Sequence, residues 1–108
     1  MDLVYCAHSS KTVIFSQAVA AFVLNRGCIP VDPFMVLPPS LLDRQLISKK
    51  GRLIFDLEIL SYCHHLWIFG SLSYGVMIEK KWWEKHRTHP IKYYSWEEAF
   101  SEINSRRI

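Results

Sequence analysis

Two polar turns, each following an apolar run, contain the residue types that could hold a ligand. The first turn contains His8, Ser9 and Ser10. The second is rich in glycine and hydroxyl groups and leads into a helical pattern with one carboxylate; its candidate residues are Gly70, Ser71, Ser73, Tyr74, Gly75 and Glu79. In an open parallel α/β sheet, ligands bind outside the carboxyl ends of the strands, where such turns lie. Free backbone N–H groups at a helix start also suit a phosphate.

A second carboxylate and a tyrosine complete the set that could do chemistry. Asp56 lies in an apolar helical frame, where a carboxylate on the core-facing side needs a partner. One carboxylate can attack an anomeric carbon while another group handles the proton, so these residues are the parts of a glycosidic site. The candidate catalytic residues are Glu79, Asp56 and Tyr5. The candidate substrate-binding residues are His8, Ser9, Ser10, Ser71, Ser73, Tyr74 and Gly75.

Each candidate also has a purely structural interpretation. Glu79 could be a surface carboxylate that pairs with nearby lysines, and Asp56 could lie on the exposed side of its helix. Ser71 and Ser73 are residue types that cap ordinary helices. The pair His64 and His65 has no cysteine or carboxylate at metal-ligand spacing, so we expect no metal site.

Apolar runs and helical spacing alternate along the chain. The predicted strands are residues 3–7, 28–31, 64–69 and 91–94, and Pro30 favours an edge position for the second. Helical patterns cover residues 13–26, 41–62, 73–86 and 95–105, with Ser10 or Thr12 capping the first and Gly51 interrupting the second. Residues 34–40 have no clear period and predict a loop, either a cavity wall or a plain connection.

This order predicts one α/β domain over residues 1–108. Strands alternating with helices imply a parallel sheet with right-handed crossovers. We therefore expect a small three-layer fold, Rossmann-like or flavodoxin-like, with about four strands and helices on both faces.

Composition narrows the classes of partner. The net charge is +3 and the basic residues are scattered, whereas a nucleic-acid footprint is normally concentrated. We therefore expect no nucleic-acid partner. No apolar run has the 18 or so residues that a membrane span needs, so we expect no membrane partner. The three cysteines form no C-x-x-C pair, and Met1-Asp2 is not followed by a basic signal region, so we predict a cytoplasmic protein.

Residues 73–79, Ser-Tyr-Gly-Val-Met-Ile-Glu, resemble the Ser/Asp-x-Gly-x-x-x-Glu segment of the nucleoside 2-deoxyribosyltransferase superfamily. That group includes the 2′-deoxynucleoside 5′-phosphate N-hydrolases and small uncharacterised relatives. The wider frame is similar over roughly residues 3 to 95: an N-terminal strand, a helix ending at Gly27, residues 29–33, residues 52–56, and the strand that leads into the motif.

The resemblance implies a role for several residues. Glu79 would be the nucleophile that attacks C1′ of the sugar, and Asp56 would assist with the base or the proton. Ser73 at the first motif position favours a nucleoside 5′-monophosphate. The first turn, His8-Ser9-Ser10, differs from the family pattern because it has no glycine, and Met77 replaces the second glycine of the motif.

From these observations we predict an N-glycosidase or deoxyribosyltransferase-like enzyme that cleaves a nucleoside or a nucleoside 5′-phosphate without a cofactor. The resemblance also implies a homo-oligomer, a dimer or larger. The alternative is a non-catalytic module on the same fold that binds a nucleotide or sugar phosphate, or acts through protein contacts. A third interpretation is a structural oligomerising domain, based on the aromatic residues Trp82, Trp83, Tyr93, Tyr94 and Trp96.

Overall fold

Four parallel strands form the central sheet in the order β2-β1-β3-β4. The computed structural model describes residues 1–105, and the side chains of residues 1–101. The strands are β1 (Leu3–Ala7), β2 (Ile29–Val31), β3 (His65–Phe69) and β4 (Lys92–Tyr94). In the register, Tyr5 lies opposite Val31 on one side and Leu66 on the other. The predicted α/β class, parallel sheet and strand number are confirmed, and the order is that of flavodoxin-like folds.

In the described part of the chain, five α-helices and one 3₁₀ helix connect the strands, and a sixth α-helix follows β4. The 3₁₀ helix (Ser10–Phe15) leads into α1 (Ser16–Leu24), and two short helices follow β2, α2 (Pro33–Val36) and α3 (Ser40–Asp43). The remaining helices are α4 (Lys49–Ser61), α5 (Tyr74–His86) and α6 (Trp96–Ser105). None of the helices in this part of the chain is long and apolar enough to cross a membrane.

Alternation along the strands divides the core between the two faces of the sheet. Val4, Cys6, Trp67 and Phe69 face one side, where they pack with Phe22 of α1 and its neighbours. The alternate residues of β1 and β3 face the opposite side, where α4 and α5 pack against the sheet. The core on this side consists of Tyr5, Ala7, Leu60, Cys63, Leu66, Ile68, Val76 and Trp83. Residues i and i+2 of a strand share a face, so β1 sends Tyr5 toward α4 and α5.

Three local predictions were wrong. The first helical pattern begins with a 3₁₀ turn capped by Ser9, whose side chain accepts a hydrogen bond from the Lys11 amide, so neither Ser10 nor Thr12 is the cap. Residues 34–40 are not a plain loop, because the Asp32 side chain caps α2 and Pro33 occupies its first turn. Gly51 does not interrupt a helix: it lies in the first turn of α4, and its amide donates to the Ser48 hydroxyl over 3.0 Å.

Candidate functional site

A cavity of about 320 Å³ opens at the carboxyl ends of β1 and β3, between α2, α4 and α5. Among the described residues, its lining contains two carboxylates and three basic side chains over an apolar base. The lining residues are His8, Ser10, Pro33, Phe34, Leu42, Lys49, Arg52, Leu53, Asp56, Ser73, Tyr74, Gly75, Val76 and Glu79. This is the edge of the sheet where the strand order predicts a ligand site.

Glu79 lies in the second turn of α5 and is only 6% exposed. The Tyr5 hydroxyl, reaching up from β1, donates a hydrogen bond to its Oε2 atom. Burial raises the pKa of Glu79 to about 8; the bond from Tyr5 opposes that shift, and the charge of Asp56 adds to it. Burial, followed by the charges of Glu79 and Asp56, raises the pKa of Tyr5 well above its usual value. Tyr5 therefore stays neutral and remains a donor to Glu79.

Asp56 enters the same cavity from α4 and is 8% exposed. Burial raises its pKa to about 6, while Arg52, one helical turn earlier, lowers it. The Arg52 Nε atom lies 3.6 Å from Asp56 Oδ2, an i,i+4 pair on one helix face. The two cavity carboxyls thus differ in pKa, and the negative charge of Asp32 raises the pKa of both.

His8 joins the first turn to the segment after β2. Its side chain is buried, with Nδ1 2.9 Å from Thr12 Oγ1 and Nε2 2.7 Å from Asp32 Oδ2. Asp32 Oδ1 accepts a hydrogen bond from the Phe34 amide over 2.9 Å. Because Asp32 contacts both His8 and Phe34, these bonds hold the wall of the cavity that Pro33 and Phe34 form. Residues 34–40 were predicted to form either a cavity wall or a plain connection. Of these residues, Phe34 lines the cavity.

Seven of the ten candidate catalytic and substrate-binding residues line this cavity: His8, Ser10, Asp56, Ser73, Tyr74, Gly75 and Glu79. Tyr5 lies beneath the lining and reaches the site through its bond to Glu79. Ser9 and Ser71 are not part of the lining. Ser9 caps the 3₁₀ helix, and Ser71 is an exposed residue of the turn before α5.

The structural interpretations of the candidates have different outcomes. Glu79 and Asp56 are both buried, so the interpretation of either as a surface carboxylate is wrong. Ser73 does cap α5, since its hydroxyl accepts from the Val76 amide over 3.3 Å, and it also lines the cavity. Ser71 does not cap this helix.

The family comparison covers most of the chain. A family model described as "Domain of unknown function (DUF7768)" matches residues 4–94. The chain belongs to this family. No curated protein and no solved structure matches the chain. The DUF7768 match contains all four strands except Leu3, the first residue of β1, and every residue of the cavity lining falls inside it.

Several residues that line the cavity of this DUF7768 protein were not among the candidates from the sequence. The most consequential is Arg52, which is 5% exposed and whose Nη2 atom donates to the Pro33 carbonyl over 3.0 Å. Its spacing of four residues before Asp56 was a usable signal, because i and i+4 side chains meet on a helix. The others are Pro33, Phe34, Leu42, Lys49, Leu53 and Val76. Most are apolar, and an apolar residue facing a cavity has the same sequence pattern as one facing the core.

The histidine pair lies at the other end of the sheet. His64 Nδ1 accepts from the Leu3 amide over 2.9 Å, and His65 Nε2 lies 2.8 Å from Asp2 Oδ2. Within residues 1–105 the structure has no group of three His, Cys, Asp or Glu side chains that could hold a metal ion. These histidines therefore tie the start of β1 to the start of β3.

Proposed function

We propose that this DUF7768 protein is an N-glycosidase or deoxyribosyltransferase-like enzyme that cleaves the N-glycosidic bond of a nucleoside or nucleoside 5′-phosphate. One observation carries the proposal: a buried glutamate, hydrogen-bonded by a tyrosine, shares a cavity with a second buried carboxylate at the carboxyl edge of a parallel sheet. The resemblance of residues 73–79 to the deoxyribosyltransferase motif gives Glu79 the role of nucleophile.

In the proposed reaction, a Glu79 oxygen bonds to C1′ of the sugar as the C1′–N bond breaks. The bonding electrons leave with the base, which takes a proton, and water or a second base then attacks C1′ to release Glu79. Tyr5 holds the carboxylate through its O–H group. The Ser73 hydroxyl, the Gly75 backbone and the start of α5 form the end of the cavity that suits a sugar phosphate.

The two carboxylates must share one proton for this reaction. With pKa values of about 8 for Glu79 and about 6 for Asp56, the prevailing state at pH 7 is a protonated Glu79 and an ionised Asp56. Attack requires the reverse arrangement, so the proton passes from Glu79 to Asp56, which then donates it to the departing base. Two interacting carboxyls of this kind titrate as a pair.

Base release is the direct test. Wild-type protein is incubated with a panel of nucleosides, nucleoside 5′-phosphates and NAD, and free base is measured by chromatography. We expect Glu79→Gln to lower release by at least about 10³-fold, because a nucleophile has no substitute. Glu84→Gln, an exposed glutamate on the same helix, is the matched control and should leave the rate unchanged. An absence of free base from every compound with wild type would refute the enzyme.

A non-catalytic binding module is the second candidate, and two observations favour it. The turn His8-Ser9-Ser10 has no glycine, and Glu79 in the cavity is mostly protonated at neutral pH. Ligand binding to the folded state raises the unfolding temperature even without turnover. Stabilisation by a nucleotide without any base release would therefore identify the module.

The partner and location follow as part of the same proposal. The partner would be a small nucleoside or nucleotide, with no cofactor, and the protein would act in the cytoplasm as a homo-oligomer. Tyr74 supports an oligomer, because it lines the cavity and is still 80% exposed. A neighbouring subunit at this point would cover both the ring and the cavity mouth.

A further inference from the structure

Two buried polar atoms in the cavity wall have no hydrogen-bond partner: Arg52 Nη1 and Asp56 Oδ1. Both residues are more than nine-tenths buried, and both line the cavity. An unpaired buried polar group destabilises the folded state, and more so when it is charged. Among the described side chains the third such atom is Ser16 Oγ, on α1 and outside the cavity lining. A donor and an acceptor left open on an i,i+4 pair of one helix face indicate a ligand that supplies both partners.

The other atoms of this pair are already engaged. Arg52 Nη2 donates to the Pro33 carbonyl, Arg52 Nε lies near Asp56 Oδ2, and the guanidinium carbon lies 5.2 Å from the centre of the Phe34 ring. These contacts set the orientation of the guanidinium plane. They leave the Nη1 group of Arg52 and the Oδ1 atom of Asp56 for a bound molecule.

We propose that Arg52 is a specificity-determining residue that donates Nη1–H to an acceptor of the ligand's base, while Asp56 Oδ1 accepts an N–H next to that acceptor. This inference rests on the proposed function for the identity of the ligand as a nucleobase. Arginine can only donate, and an ionised aspartate can only accept. The pair therefore selects an amide-like edge, a ring nitrogen or carbonyl beside an N–H, and rejects an edge with two acceptors.

Both open atoms are shielded from bulk water. A guanidinium near the base also stabilises negative charge that develops there as the glycosidic bond breaks. Arg52 thus serves both recognition and the departure of the base.

Calorimetric titration with free bases tests the recognition step separately from catalysis. Adenine, cytosine, guanine and uracil are compared first. The tightest is then compared with its analogue lacking the N–H donor: purine, 2-pyrimidinone, 1-methylguanine or 3-methyluracil, respectively. We expect the analogue to bind wild type at least about 10-fold more weakly, the loss expected of a hydrogen bond to a charged group.

Two variants assign that loss to the pair. Arg52→Lys keeps the charge but removes the forked donors, and should weaken binding of the parent base about 10-fold to 100-fold. Lys50→Met is the matched control, since it removes an exposed positive charge from the same helix but outside the cavity lining, and should change affinity less than about 3-fold. Asp56→Ala should bind the parent base and its analogue equally. Thermal unfolding verifies that each variant is folded.

The outcomes separate this inference from the proposed function. Three results would overturn the inference: equal binding of base and analogue by wild type, equal losses in Arg52→Lys and Lys50→Met, or no binding of any free base. The first and the last need no variant. Base release by wild type with unchanged base preference in Arg52→Lys would overturn the inference alone. Arg52-dependent binding without base release would overturn the enzyme and leave the inference standing.

Discussion

Burial determines the acidity of the two cavity carboxylates more than any neighbouring charge. Glu79 has a hydrogen-bond donor in Tyr5, and Asp56 has a guanidinium beside it in Arg52, yet both pKa values are raised. Desolvation disfavours the charged form of a carboxyl and so raises its pKa. Here this effect is larger than the lowering of the pKa by either partner. Groups with this behaviour inside a cavity are characteristic of functional sites, although structural networks also produce them.

The raised pKa of Glu79 predicts how stability depends on pH. A carboxyl whose pKa is 4.5 when unfolded and about 8 when folded favours the folded state fully below pH 4.5, and this contribution is lost as pH rises toward 8. The loss is on the order of 4 kcal/mol for a group this buried. We expect Glu79→Gln, which cannot ionise, to remove this part of the slope when denaturant unfolding is measured from pH 5 to pH 8.

Glu84→Gln serves again as the control for this measurement. It changes an exposed carboxyl on the same helix, so its slope between pH 5 and pH 8 should match that of wild type. A Glu79→Gln slope equal to the wild-type slope would show that Glu79 ionises normally in the folded protein.

At the scale of the element, the connection between β3 and α5 places Glu79. Gly70 ends the strand at a φ of +78°, a left-handed conformation that glycine adopts without strain, and Ser73 then caps α5. A Cβ atom on Gly70 would lie 2.3 Å from Trp96 Nε1. Position 70 therefore requires glycine for two reasons, its positive φ and its close contact with Trp96.

We predict that Gly70→Ala destabilises the protein by about 3 kcal/mol, from the positive φ and from overpacking against Trp96. Gly27→Ala is the matched comparison, because Gly27 has a φ of +76° and nothing within 4 Å of an added Cβ. It should cost only the conformational strain, about 1 to 2 kcal/mol. Denaturant unfolding measures both, and equal losses would mean that contact with Trp96 adds nothing.

At the scale of the whole molecule, two cores on opposite faces of one sheet support the site from below. The face that packs against α4 and α5 contains Tyr5 and Trp83, so the same layer holds the tyrosine of the site and the helix that carries Glu79. Trp83 is 1% exposed, and its indole N–H donates to the His89 carbonyl over 2.8 Å. Trp82 is half-buried and stacks on His86.

This difference between adjacent tryptophans gives a prediction for the molecule as a whole. Trp83→Ala should lower the free energy of unfolding by about 3 to 5 kcal/mol, because it empties a large volume in the core. Trp82→Ala should cost roughly 1 to 2 kcal/mol, since its ring is only partly removed from water. Thermal and denaturant unfolding provide the comparison. Sedimentation of Trp82→Ala would at the same time test whether this ring belongs to a subunit contact, as a structural oligomerising domain requires.

Local patterns in the sequence determined the elements and the edge of the sheet where a site could lie. Period-2 and helical spacings report which residues face a core, so the four strands, their parallel pairing and the position of Glu79 after β3 followed from the order of residues. One cap was readable from residue type, since Ser73 was a capping candidate and its hydroxyl accepts from the Val76 amide over 3.3 Å.

Only the tertiary structure decided which distant side chains meet. His8 pairs with Asp32, 24 positions later, and Arg52 donates to Pro33, 19 positions earlier, through contacts between elements that no spacing along one helix or strand encodes. Ser71 looked equivalent to Ser73 as a residue type, yet the turn leaves it outside the cavity. Periodicity describes which residues each element buries, whereas the shape of a cavity depends on how several elements pack together. That packing puts Arg52 and Asp56, with their unpartnered atoms, in the wall of the cavity.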